Sequence, residues 1–436
     1  MTGLPESAVP ALFGTAGEPP TTTAAEPAVL KNANFRRLYI ASVTSSAGAS
    51  IAVVSIAWLV YTTTHSALAV SYVGLAGVAP GIALGLVAGA LADRYNRRRV
   101  MVLSDACRAV IMAGLAGFLF LVGFDLLVIL GVVVIVNGFT ALFFPASSAI
   151  LPRLVRAVDL EPANGLLYGS TQAAQMLGSA AGGAAIALAG VVPGLAFNAL
   201  TYAISAAFVL QIATTFGQIG RPGDPPPVGR SLPHDIGEGM AYMRDHRAIL
   251  EVTLGFLPGN FFWTMVTSFT VVYVATYFPG SPGAYGYLVA GLGGGFALGA
   301  LVAVRLKLRR FAGLSMALIV VLQGGIAAAL AFSHFYPFSL VLAVLLGLGA
   351  GVINTVYYAT VQAIVPDRVL GRVLSVDQVG GFAGIPAGLV LGGVLATRYG
   401  IGTDFLVAGL GLLVNGLLML ALKDLRALRY RPDTTS

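Results

Sequence analysis

Apolar residues fall along this chain in long unbroken blocks, without the alternation of a half-exposed strand or the narrow stripe of a surface helix. Twelve blocks reach the about 20 residues that a helix needs to cross a hydrocarbon core. They lie at 38–61, 67–92, 99–122, 125–151, 164–190, 192–216, 248–278, 284–306, 310–334, 337–364, 371–397 and 401–422. Each predicts a transmembrane helix, and those above the minimum length must tilt or protrude.

The connections between blocks alternate in charge. Of 25 Lys and Arg residues, 23 fall on the face shared by the N-terminal segment, the connections after spans 2, 4, 6, 8 and 10, and the C-terminal tail. The opposite face holds Arg398 alone, and Arg108 lies inside span 3. Basic side chains mark the cytoplasmic side, so both termini are expected there. One missed span would scramble the parity, which supports the number twelve. Composition agrees: 57% of residues are hydrophobic and 10% charged, against about 25% charged in soluble proteins. A disordered chain, a nucleic-acid-binding domain and a disulfide scaffold are set aside. The lone Cys107 forms no internal disulfide.

Residues 1–34 predict a disordered cytoplasmic tail, Ala-, Thr- and Pro-rich, with none of the features of a cleaved signal peptide. A first bundle of six helices is expected over 35–216 and a second over 248–422, followed by a cytoplasmic tail at 423–436. Between the bundles, 217–247 opens on a Pro/Gly stretch and continues with Ile236, Met240 and Met243 at helical spacing. That pattern predicts a linker and then a short amphipathic helix on the cytoplasmic surface.

The second bundle repeats irregularities of the first. Gly81, Gly85 and Gly89 in span 2 recur as Gly291, Gly295 and Gly299 in span 8, and Phe143–Pro152 aligns with Tyr357–Pro366. Gln172–Gly182 aligns with Gln378–Gly388. Offsets of 206 to 214 residues indicate parallel repeats and predict an all-α membrane protein, two pseudo-symmetric six-helix bundles facing each other across a cavity. Glycines every fourth residue bring a neighbouring backbone close, either as plain packing or as a sliding face.

Between spans 2 and 3 stands Gly89-Ala-Leu-Ala-Asp93-Arg94-Tyr-Asn96-Arg97-Arg98. It resembles the loop signature of the major facilitator superfamily, and the resemblance covers essentially 35–425. The resemblance implies a gate in which Asp93 meets the start of span 11 near Gly371 and latches the halves in the outward-open state. The arginines have a plainer alternative, enforcing topology. Asn96 replaces the usual second glycine, and both residues tolerate a left-handed backbone. The equivalent loop after span 8 keeps Gly299 and Arg309-Arg310 without the acid.

Span 5 resembles the antiporter signature of drug exporters at Gly165, Gly178, Gly182 and Gly183, and departs from it at Ala174 and Ser179. The exporters' arginine signature in span 4 is absent. Asn34-Phe-Arg-Arg-Leu, Phe144-Pro-Ala, Leu151-Pro-Arg-Leu-Val and Ile364-Val-Pro-Asp-Arg resemble the branch of enterobactin-type siderophore exporters and macrolide-efflux-like proteins. What this implies is a secondary transporter acting as a monomer on a small organic molecule, an antiporter if protons drive it.

Ionisable residues inside spans are costly and few. Asp105 and Arg108, three apart in span 3, form one candidate structural pair. Asp377 in span 11 is the carrier a proton-coupled cycle would use, unless it pairs with Arg94, Arg97 or Arg98. Candidate cavity contacts are Ser46, Ser50, Asn137, Gln172, Gln175, Asn260, Trp263, Asn354, Tyr357 and Gln378; interhelical hydrogen bonding is the alternative for each. With no central Lys or Arg, the cavity suits an amphipathic or hydrophobic compound. No H-E-x-x-H, G-x-S-x-G or P-loop is present, so no enzyme, metal, cofactor or ATP-driven pump is expected. An importer and a non-transporting receptor or scaffold are the competing readings.

Overall fold

A computed structural model describes residues 28–213, 232–306 and 308–428; over 85–94, most of 232–239 and most of 367–382 only the backbone course is described. Residues 1–27 of the expected tail and 214–231 of the linker lie outside these residues, while Ala28–Lys31, expected to be disordered, form one turn of 3-10 helix. The first half comprises α1 (Ala33–Thr64), α2 (Ala67–Arg94), α3 (Arg97–Leu121), α4 (Leu126–Leu154), α5 (Leu160–Ala189) and α6 (Val191–Leu210). Then come α7 (Leu232–Asp245), α8 (Arg247–Ser268), α9 (Thr270–Tyr277), α10 (Pro282–Arg305), α11 (Ala312–Ala331), α12 (Tyr336–Ile364), α13 (Asp367–Tyr399), α14 (Ile401–Ala421) and α15 (Lys423–Ala427). No strand occurs among the described residues.

Local chemistry sets the ends of these helices. Asn32 caps α1 by accepting from the Asn34 and Phe35 amides, and Asp125 caps α4 by accepting from Leu127 and Val128. Each satisfies donors that the first helical turn leaves orphaned. The helix starting at Ala33 has 32 residues, about 48 Å at 1.5 Å per residue, which overshoots the about 30 Å hydrocarbon core. Span 6 stops at Leu210, short of its expected end, and span 7 breaks at Phe269 into α8 and α9.

Ten spans, counting α8 and α9 as one, are long and apolar enough to cross a membrane unaided. The other two, α5 and α13, are the fifth helices of their halves and have 30 and 33 residues. In α5 small and polar residues dilute the apolar content. Apolar side chains cover the periphery: Leu188 is 88% exposed and Phe120 78%, a surface suited to lipid rather than water.

Repeat symmetry is visible in the packing. α1 packs on α5 and α6, α2 on α4, and α3 on α4 and α6; correspondingly α8 packs on α13 and α14, α10 on α12, and α11 on α12 and α14. The turns α5–α6 and α13–α14 both pivot on glycine, Gly190 at φ 84° and Gly400 at φ 86°, where a side chain would be strained. The two halves meet through α5 against α10 and α2 against α13, a pair of contacts that the same symmetry exchanges. After the linker, α7 buries Met243 and is seated on α13 and α8; the Ile236 side chain lies outside the described residues.

Candidate transport path and gates

The halves touch at the end away from the chain termini. There Gly183 of α5 faces Gly286 of α10 so closely that a Cβ on Gly183 would stand 2.6 Å from the Gly286 Cα. On the other flank, Ser71 of α2 rests against Gly393 of α13, and the Leu68 amide donates to Thr397 Oγ1 at 3.1 Å. Between them Trp58 stacks on Tyr285, centroids 6.4 Å apart, and the hydroxyls of Tyr61 and Thr276 are 3.2 Å apart. Small residues let four backbones converge, and the aromatic pair fills the centre. Contact continues to mid-helix, where Met176 of α5 lies over Gly293 and Gly294 of α10.

The span 5 glycines therefore have separate tasks. Gly178 and Gly182 abut the α1 backbone at Ala47 and Ile51 within the first half, Gly183 meets the second half, and Gly165 has nothing within 4 Å of a Cβ. The two glycine ladders also differ. Gly295 and Gly299 pack on Val344 and Leu348 of α12, whereas a Cβ at Gly81 would meet nothing within 4 Å. Packing explains the second ladder but not that position of the first.

In the loop motif, the side chains of Asp93 and Arg94 and the surroundings of Gly89 lie outside the described residues, as do Asp377 and Gln378. The following arginines are placed. Arg97 donates through Nη1 to the Ala149 carbonyl of α4 at 3.1 Å, and Arg98 donates to the Leu210 carbonyl at the end of α6. Both of these bonds lie within the first half, and Arg98 sits at a helix C-terminus, where orphan carbonyls and the helix dipole attract a cation. Asn96 is not left-handed. At φ −58° and ψ 112° it is extended and caps α3, its side chain accepting from the Arg99 amide at 3.1 Å.

Asp105 and Arg108 are fully buried and bonded to each other. Ser205 donates to the second Asp105 oxygen at 2.6 Å, Arg108 also donates to Thr140, and its guanidinium lies 4.4 Å from the Tyr202 ring centre and 4.8 Å from that of Phe143. The cluster ties α3 to α4 and α6. Outside the spans, the Asp159 carboxylate at 2.6 Å pushes Arg156 upward by hydrogen bonding and charge, fixing the α4–α5 connection.

Among the polar candidates, Gln175 and Asn354 are exposed, while Ser46, Ser50, Asn137, Gln172, Asn260 and Trp263 are half-buried. Asn137 donates to its own helix at Val133, and Tyr357 is buried edge-on against Phe256 with centroids 4.5 Å apart. None of them lines the cavity of about 500 Å³ between α2 and α4, whose walls are the apolar groups of Ala79, Pro80, Ala83, Leu84, Val134, Ile135, Gly138, Phe139 and Leu142. Sequence reasoning missed Asp404, a fully buried acid in the first turn of α14. An acid inside an apolar block was the available signal. Glu251, in the first turns of α8, accepts from the Leu425 amide at 2.7 Å and so holds α15.

The family profile described as "Transmembrane secretion effector" matches residues 24–431. The chain is a major facilitator superfamily transporter. Its relatives include "Multidrug efflux pump Tap" of Mycobacterium tuberculosis, 28% identical over 91% of this chain and 95% of that one. "Putative bacilysin exporter BacE" of Bacillus amyloliquefaciens is 25% identical over 76% of this chain and 80% of the other. Among solved structures, the nucleoside transporter NupG superposes with a TM-score of 0.69 at 13% identity, covering 89% of this chain and 98% of NupG. A bacterial homologue of the lysosomal transporter Spinster, inward-facing and unoccupied, gives 0.68 at 15% identity over 94% and 100%. At these identities the structures establish the shared fold. This major facilitator transporter is a multi-pass membrane protein acting on small molecules and not an enzyme, and its paired contacts α5–α10 and α2–α13 are the places where its two bundles meet.

Proposed function

We propose that this transporter exports amphipathic or hydrophobic organic compounds by alternating access, with both termini, the 217–247 linker and the basic connections in the cytoplasm. The observation that carries the mechanism is the seal at the end away from the termini, where Gly183 meets Gly286, Ser71 meets Gly393, Leu68 donates to Thr397 and Trp58 stacks on Tyr285. With the termini inside, that end is extracellular and the described conformation is closed to the outside. Seals of small residues part without leaving charges unpaired, which keeps the two conformations close in energy. Export is favoured over import by the span 5 glycines and by relatives named as efflux pumps. An apolar substrate is favoured because Arg108, the cation placed in the middle of span 3, is bonded to Asp105.

Proton drive is part of this proposal, with Asp377 as the carrier named from sequence, and the protein acts as a monomer. The test is accumulation of hydrophobic test compounds in an efflux-deficient bacterial host expressing the chain, with and without a protonophore. Lower accumulation, reversed by the protonophore, is the expected result. Raised accumulation would make it an importer.

A further inference from the structure

The second half encloses one carboxylate that no other contact explains. Asp404 has no exposed surface, and neither of its carboxylate oxygens has a hydrogen-bond partner. Its repeat counterpart, 210 residues earlier, is Gly194, packed on Ser55 and Ile51 of α1. The fold thus tolerates this helix crossing with no side chain at all, so repeat packing does not call for a charge.

Among the described residues, no cation answers the carboxylate from any element packed on it. α13 presents Gly392, where a Cβ would stand 3.0 Å from Asp404 Oδ1. The α8–α9 break presents Phe269, whose ring flanks the same Gly392. On α9, the Tyr273 hydroxyl is committed to Ser333 and Ser339, and Tyr277 packs its ring on His334. α11 carries no titratable side chain. At this end α13 offers only Arg398, which is exposed and makes no hydrogen bond to Asp404. Arg247 and Glu251 of α8, Asp367, Arg368, Arg372 and Asp377 of α13, and Lys423, Asp424 and Arg426 of α15 belong to the opposite end. A carboxylate enclosed without a counter-charge is far costlier than the neutral acid, so the enclosed state is that of the protonated group.

Position supplies the second observation. The residue after Gly392 is Gly393, against which Ser71 of the first half rests. One step of α13 therefore has the seal between the halves on one side and Asp404 on the other. Neither glycine has a side chain to separate them. Withdrawing α2 uncovers the backbone at Gly393, next to the Gly392 that faces the carboxylate.

We propose that Asp404 is a proton-binding site controlled by the seal. When Ser71 leaves Gly393, a carboxylate oxygen takes a proton from hydronium in the outer solution, forming one O–H bond and releasing water; when the halves close, the neutral acid is enclosed. Low pH therefore favours the sealed state, because that state binds the additional proton. The proposal rests on the alternating-access cycle proposed above and adds a site distinct from Asp377.

The test uses the full chain with Cys107→Ser and spin labels at Leu121→Cys and Phe332→Cys, one exposed position on each half at the sealed end. Distances are measured in lipid nanodiscs across a pH series, with no transported compound present. In this background the ratio of sealed to open populations should rise as pH falls, by up to about tenfold per pH unit, the one-proton limit. Asp404→Asn should remain sealed and lose the pH response, while Asp404→Glu should keep the response with a displaced midpoint. A pH-independent ratio without the Asp404 substitutions overturns the proposal, as does an unchanged response in Asp404→Asn. A response lost in Asp377→Asn but kept in Asp404→Asn moves the site to Asp377. If Asp404→Asn does not fold, the Glu variant decides, and an unchanged midpoint counts against Asp404. Since no substrate is involved, a chain that exports nothing can still pass this test, and a working exporter with a pH-insensitive seal fails it.

Discussion

Gly183→Ala should hold the extracellular end of this transporter partly open. The added Cβ would stand 2.6 Å from the Gly286 Cα and 2.9 Å from both the Gly286 nitrogen and the Pro282 carbonyl oxygen. All three are backbone atoms, so no rotamer change relieves the contact. Restoring an ordinary separation of about 3.5 Å requires α5 and α10 to part by about 1 Å at the tightest point of the seal. Overpacking of this kind costs roughly 1–3 kcal/mol. It falls only on the sealed conformation, because Gly183 faces the other half while Gly178 and Gly182 serve the first bundle internally. The ratio of sealed to open states should drop about 5- to 150-fold, at 1.4 kcal/mol per factor of ten. The assay is the labelling rate of Ser179→Cys, a buried position in the seal, by a membrane-impermeant thiol reagent applied to intact cells in a Cys107→Ser background. The rate should rise by that factor and export should fall. Gly165→Ala, with nothing within 4 Å, serves as the silent control. A Gly183→Ala protein that labels and transports like its parent would refute the idea that this glycine pair forms the gate.

Arg108→Gln should leave the buried Asp105 charge uncompensated and cost about 3–5 kcal/mol, read as a lower unfolding temperature in detergent; the Asp105→Asn/Arg108→Gln double variant should regain most of it. Asp93→Asn should impair transport at normal membrane abundance, and wild-type transport rates would show that no latch acts through this acid. With single cysteines in the Cys107→Ser background, Ser281→Cys should label from outside intact cells and Asp224→Cys should not; labelling at Asp224 would reverse the orientation.

The sequence by itself determined the twelve spans and their grouping into two related sixes. Hydropathy is a property of consecutive residues, and a hydrocarbon core selects for it span by span without reference to neighbours. It also marked which helices were unusual. Span 5 stood out by its glycines, and the same dilution keeps α5 out of the ten helices apolar enough to cross unaided. Tertiary structure decided what each marked residue meets. Four glycines of one motif divide among α1, α10 and open space, because a helix turns 100° per residue and only packing says what stands opposite each face. Two arginines that sequence allowed to reach span 11 also donate to carbonyls of α4 and α6 in their own half. Asp105 and Asp404 look alike in the chain, each an acid within an apolar block. Arg108 and Ser205 close around one of them, while glycine and phenylalanine face the other. That difference lies in residues distant in sequence, since the free energy of a buried charge is set by what surrounds it in space.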